Sequence, residues 1–244
     1  MIIFRDEKRI ARLNLLAKVA SYGGMAILLL GLALAFVTQD FQRVFLWQLT
    51  ALFVGWIASQ IGIYLTQRYV RRPRPDQVLD EAVRKVARNG RMYHFLLPAP
   101  HTLLTPHGII VFNPRPNTGK ISVVGDKWQQ KGGVLRRFLG QEPIGNPTQE
   151  VERMVEGLAN FIRKNAPEVE EVPIGALIVF TTKGATELDL KESRLPAMHY
   201  TKVKGFLRQQ KREMLPQDVY DAVRRAFDEK AAHLTEVVYE GDST

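Results

Sequence analysis

Residues 19–37 read VASYGGMAILLLGLALAFV, nineteen positions without a charge, and residues 44–67 read VFLWQLTALFVGWIASQIGIYLTQ, twenty-four more. Each run is long enough to cross the hydrocarbon core of a bilayer as a helix. Only Thr38, Gln39, Asp40, Phe41, Gln42 and Arg43 separate them, room for a tight helical hairpin and little else. A buried hairpin in a soluble protein is the plainer alternative, but such helices are usually shorter and striped with polar positions. A cleaved signal peptide fits less well. Ala33-Leu34-Ala35 has the small-residue pattern of a cleavage site, yet the apolar run exceeds the usual length of about 7–15 residues and follows a basic leader. The sequence therefore predicts an uncleaved anchor over residues 1–75, with spans at about 19–37 and 44–67.

Charge around the runs sets an expected orientation. Arg5, Lys8, Arg9, Arg12 and Lys18 precede the first, Arg68, Arg71, Arg72 and Arg74 follow the second, and the link holds Arg43 alone. The positive-inside bias then puts both termini in the cytoplasm of a two-span protein. Tyr22, Tyr64 and Tyr69 fall at the inner interface, and Phe41, Phe45 and Trp47 at the outer one. Ala51, Gly55 and Ser59 recur every four residues, a small-residue stripe able to receive either the first helix or a second copy of the chain, as in a homo-oligomer. Gln48 and Gln60 are polar without charge. No Asp, Glu, Lys, Arg or His lies inside either run, so nothing supports a transporter or proton relay.

The chain has 244 residues, enough for a domain plus this appendage. Cysteine is absent, which removes disulfides, thiolate zinc sites, iron–sulfur clusters and a Cys nucleophile together. The net charge of +9 invites a nucleic-acid reading until it is divided along the chain. Residues 1–75 hold ten Lys and Arg against three Asp and Glu, and residues 76–244 hold twenty-four against twenty-two. The basicity belongs to the anchor, and the region behind it is nearly neutral.

Residues 76–244 read as one cytoplasmic domain. Val78, Leu79, Ala82, Val83, Val86 and Ala87 keep helical spacing until Asn89-Gly90 stops them. Extended segments follow at 92–97, 102–105, 109–112 and 121–124, the middle pair joined as a hairpin by Pro106-His107-Gly108. Asn146 caps a helix with Pro147 at its first position and Arg163-Lys164 at its end. Residues 174–181 are apolar enough for a central strand covered on both faces. A short segment around 198–203 and a helix from Pro216 complete an α/β or α+β arrangement, one mixed sheet flanked by helices.

From about residue 79 to 203 the sequence resembles the nuclease-related domain (NERD) family of the PD-(D/E)XK nuclease superfamily. The resemblance is carried by Asp80-Glu81 on a helix and by the hairpin TLLTPHGIIVF at 102–112. Gly119-Lys120-Ile121, Gly125 and Trp128 follow, and then Asn146-Pro147-Thr148-Gln149 opening a helix. It implies a restriction-endonuclease-like fold in a bacterial inner-membrane protein, since members are often bacterial and often joined to membrane spans. Its active-site pattern sets an Asp before the first hairpin strand and Glu-x-Lys at the end of the second. Those positions are Pro100, Asn113 and Arg115 here, while Glu81 and Gln149 match the family's helix glutamate and glutamine.

Cleavage of this kind needs carboxylates to hold Mg²⁺ or a similar hard cation. No Asp or Glu occurs between Ala82 and Gly125, which spans the expected metal site. Arg115 keeps a positive charge but cannot act as a base. The expectation is a catalytically degenerate domain, a pseudoenzyme without cofactor or metal, serving as a binding or scaffold module for a protein partner at the bilayer. Two rivals stay open. One is a nuclease whose relocated Mg²⁺ site recruits Glu81 and distant carboxylates such as Asp126. The other is a nucleic-acid binder that keeps Arg84, Lys85, Arg88, Arg91, Arg115 and Lys120 for phosphate. Lys202, Lys204, Arg208, Lys211 and Arg212 form a basic run suited to phosphate or anionic lipid, or a merely solvated face. His94, His101, His107, His199 and His233 raise the question of zinc, but a strand sets His101 and His107 ~20 Å apart. No dinucleotide-binding fingerprint, Walker pattern or nucleophile elbow is present.

Overall fold

A computed structural model describes residues 1–37, 41–131, 142–185, 187–210, 213–234 and 237–238. In chain order its elements are β1 (Ile2–Arg5), α1 (Glu7–Val37), α2 (Phe41–Leu65), α3 (Pro75–Arg84), β2 (Arg91–His94), β3 (His101–Thr105), β4 (Gly108–Arg115), β5 (Lys120–Gly125) and β6 (Lys127–Gln130). They continue with α4 (Pro147–Asn165), β7 (Ile174–Phe180), β8 (Glu187–Ser193), β9 (Ala197–His199), α5 (Tyr200–Gln209), α6 (Gln217–Ala231) and β10 (Val237–Val238). Two compact units result. One runs from Glu7 to Arg74, with Glu142. The other takes Met1–Asp6 and the remaining described residues from Pro75 on.

In the first unit, α1 and α2 are long and apolar enough to cross a membrane. Their large side chains point outward: Phe36 is 83% exposed, Trp47 71% and Leu46 69%. That is the reverse of a buried hairpin in a soluble protein, which turns such residues inward. Small residues let the two backbones approach. A Cβ on Gly31 would come within 2.8 Å of Ala51, one on Gly55 within 2.7 Å of Leu28, and one on Gly62 within 2.9 Å of the Ser21 amide nitrogen. The Ala51–Gly55–Ser59 stripe therefore packs against α1, with Ser21, Gly24 and Gly31 answering it. Asn14 Nδ2 donates to the Tyr69 carbonyl at 3.0 Å, and Arg74 meets Glu7 at 3.1 Å where the hairpin's two ends return.

The second unit is a mixed α/β domain. Its main sheet has the order β10-β1-β2-β3-β4-β7-β9. The pairs β10–β1, β2–β3 and β3–β4 are antiparallel, whereas β1 pairs parallel to β2, and β7 pairs parallel to both β4 and β9. Side-chain alternation feeds two cores. Ile3, Met92, Leu103, Ile110, Phe112, Leu177 and Val179 face α3 and α5. Phe4, Tyr93, Leu104, Ile109, Val111, Ile178 and Phe180 face α4 and α6. Cover on both sides explains the unbroken apolar runs of β4 and β7.

Three features depart from the sequence reading. Ile2–Arg5, read as part of a basic leader, is a strand, because Ile3 and Phe4 bury on opposite faces beside β2. A second sheet, β6-β5-β8, stands apart from the main one and lends Ile121, Val123 and Trp128 to the α4 side. The segment around 198–203 is mostly helix: only Ala197–His199 is strand, and α5 begins at Tyr200. The residues that would link α1 to α2, 38–40, and most of the loop before Gly145 lie outside the described residues.

Candidate functional site

Residues at alternate positions of a strand share a face, so Asn113 and Arg115, at the end of β4, point the same way as Ile109 and Val111. That face meets the start of α4. Asn113 Nδ2 donates to the Pro147 carbonyl at 3.0 Å. Arg115 pairs with Glu150 at 2.6 Å and its second terminal nitrogen donates to the Ile144 carbonyl. Both residues are buried. Gly145 turns here with φ +61°, directly after the Ile144 carbonyl that accepts from Arg115, and Asn146 Oδ1 accepts from the Gln149 amide at 3.2 Å. Trp128 Nε1 donates to Thr148 Oγ1 at 2.8 Å, joining the small sheet to the same helix start.

The positions that the resemblance assigns to a metal ligand and a lysine thus hold α4 in place. Asn113 carries no charge and spends an amide N–H on the Pro147 carbonyl, and the carboxylate of Glu150 is engaged by a guanidinium, so the pair lacks the free carboxylates that hold a hard divalent cation. Pro100 precedes β3 and its carbonyl accepts from the Phe95 amide at 2.7 Å. Glu81 and Gln149 are exposed on α3 and α4. The structure gathers Asn113, Arg115 and Gln149 at one helix start, and leaves Glu81 and Pro100 in other surroundings. Among the described residues no three His, Asp or Glu side chains form a group able to hold a metal ion.

A second cluster went unread in the sequence. Register places Arg5 opposite His94 and His94 opposite His101, a row across β1, β2 and β3. Asp76 and Asp80, one turn apart on α3, lie over it. Arg5 Nε is 2.8 Å from Asp76 and its terminal nitrogen bonds Asp80. The other Asp80 oxygen meets His94 Nε2 at 2.8 Å, and His94 Nδ1 meets His101 Nδ1 at 2.8 Å. Two ring nitrogens in contact need a proton on one and a lone pair on the other, so the two tautomers are coupled. His101 and His107 flank one strand as expected, but His101 is buried in this network whereas His107 is exposed at the β3–β4 turn. Phe95 sets its ring edge-on to His101 at 4.8 Å and adopts φ +64°, strained for a side chain of that size. The missed signal is spacing: Asp76 and Asp80 share the apolar face of an otherwise charged helix. No pattern in the sequence announces the strand that supplies Arg5.

No family model, characterised protein or solved structure matches the chain.

The basic residues expected to meet phosphate divide into two groups. Arg115 is turned inward on Glu150. Arg91 pairs with Asp228 at 2.8 Å and donates to Tyr93 Oη at 3.1 Å. Tyr93 Oη donates in turn to Asp228 at 2.7 Å, and burial, then Asp228, pushes the phenol well above its ordinary range. Lys120 meets Glu187 across β5 and β8 at 2.6 Å; that contact raises the lysine and lowers the glutamate. By contrast Lys85 and Arg88 are exposed after α3, and Lys202 and Arg208 are exposed on α5 with Lys204 half-buried. Lys211 and Arg212 lie outside the described residues.

Proposed function

We propose that this chain is a membrane-anchored protein whose cytoplasmic domain, built like a restriction endonuclease and similar to the nuclease-related domain family, binds a partner at the bilayer surface without cleaving phosphodiesters. The observation that carries the reading is the engagement of Asn113 and Arg115 by the start of α4. Side chains committed to buried hydrogen bonds and an ion pair are not available to position a cation or a water. The order of helix, three antiparallel strands, helix and parallel strand supports the fold assignment.

Topology enters through the sheet. β1 precedes the two apolar helices in sequence and β2 follows them, yet they pair over four residues. A chain that left the cytoplasm with α1 and stayed out could not make those bonds, so pairing supports a hairpin that crosses twice. The flanking arginines and lysines support the cytoplasmic side for both ends.

The test is a cleavage assay on the full chain in neutral detergent, with Mg²⁺ or Mn²⁺ and single- or double-stranded DNA or RNA. The expected result is no cleavage. Metal-dependent cleavage that disappears in Glu81→Gln would establish a relocated metal site and overturn the reading.

A further inference from the structure

Between Ala82 and Gly125 the chain holds no acid, and the fold folds that stretch back on itself. The turn after α3 meets the β3–β4 hairpin and the end of α5 around a cavity of about 310 Å³, all within the mixed α/β unit. Its base is apolar, with Ala87, Leu103, Ile110 and Leu207. Its rim is made of Lys85, Arg88, Asn89, His107 and Gln210, and among the described residues no carboxylate lines it. Gly90 lets the turn lie close against the hairpin, since a Cβ there would come within 3.0 Å of Leu103. Lys85 and Arg88 have no ion-pair partner among the described residues, whereas Arg91, Arg115 and Lys120 of the same stretch are each paired.

We propose that this cavity binds a phosphate monoester carried on a short apolar stem. Several donors of different reach, set around one mouth, suit an anion with three terminal oxygens better than a planar carboxylate. The apolar base needs an apolar group to cover it, and the volume lies at the small end of ligand sites, which favours a short stem. An ester of this kind comes either from a lipid headgroup or from a soluble metabolite, and the chemistry at the rim is the same. This inference rests on the reading of the domain as a binding module and names the class of its ligand.

The test titrates the full chain in neutral detergent with hexyl phosphate, inorganic phosphate and hexanol, followed by calorimetry. Hexyl phosphate should bind saturably and about tenfold more tightly than inorganic phosphate, with hexanol alone not binding. The double variant Lys85→Gln/Arg88→Gln, altered only at exposed side chains, should weaken hexyl phosphate by about tenfold or more. The absence of saturable binding, or equal binding by the double variant, would overturn the proposal. Repeating the titration in phosphatidylcholine vesicles with and without phosphatidic acid separates the sources. Competition by phosphatidic acid assigns the site to lipid, and its absence to a soluble ester. The cleavage assay is independent: a chain that binds nothing and cuts nothing removes the ligand and leaves the non-cleaving domain standing.

Discussion

Asp80 has two carboxylate oxygens and commits them to different strands, one to Arg5 of β1 and the other to His94 of β2. Residues 5 and 80 lie on either side of the apolar hairpin in sequence, so this side chain ties the two separated stretches of the α/β unit, β1 and α3, to each other. Neutralising Asp80 leaves Arg5 to Asp76 alone and takes the charged acceptor from His94, and losing such charge-assisted bonds costs about 2–3 kcal/mol. Asp80→Asn should therefore lower the apparent Tm of the detergent-solubilised chain by about 10 °C, while Glu81→Gln, exposed one residue away, should leave it nearly unchanged. An equal response of the two variants would show that the network contributes nothing to stability. Tyr93 makes a pH-dependent case. Its phenol is held above the ordinary value of 10.0 by burial first and by the Asp228 contact next. The unfolded chain then releases a proton near pH 10 that the folded chain keeps. Stability from this group is present in full below pH 10 and declines above it, at up to about 1.4 kcal/mol per pH unit. Denaturant unfolding from pH 9 to 11.5 should show a shallower alkaline decline in Tyr93→Phe than in the unmodified chain, and identical slopes would refute the assignment.

Elements differ in how much of them is legible in order of residues. α4 is plain because Asn146, Pro147 and the terminal Arg163-Lys164 mark its ends, and the cap is made as that spacing requires. β4 and β7 are plain because double-sided burial leaves an unbroken apolar run. β1 is hidden: four residues between a terminus and a helix carry no periodicity, and their strand character comes from β2, far along the chain. β8 reads as a polar stretch, although Leu188 and Leu190 turn toward the core at alternate positions. The Ala51–Gly55–Ser59 stripe announces a close approach, but not which helix fills it. That close approach is testable. A Cβ at Gly62 would already run into the Ser21 backbone, whereas one at Gly23 would meet nothing within 4 Å among the described residues. Gly62→Leu should cost about 1–3 kcal/mol, read as a lower apparent Tm in detergent, and Gly23→Leu should cost little. Equal losses would mean that the helices do not pack along this seam.

At the scale of the molecule, the two-part division was readable from uncharged length and from the asymmetry of charge. The candidate site was readable only as a set of departures from the pattern of the family the sequence resembles. That Asn113 and Arg115 differ from a cleaving pattern is visible in order of residues. That they brace a helix is visible only once Ile144, Pro147 and Glu150 are brought beside them by the parallel pairing of β4 with β7. The Arg5 network shows the same limit, since its members come from positions 5, 76, 80, 94 and 101 and meet only through sheet register. That a two-crossing hairpin interrupts one cytoplasmic sheet is tested most directly by labelling single cysteines in cells. The chain has none of its own, so Lys8→Cys, Gln39→Cys and Val124→Cys each give an unambiguous signal with a membrane-impermeant maleimide. Gln39→Cys should label while the membrane is intact, and Lys8→Cys and Val124→Cys only after that membrane is opened. Labelling of Gln39→Cys and Val124→Cys from the same side, or of Lys8→Cys and Val124→Cys from opposite sides, would contradict it.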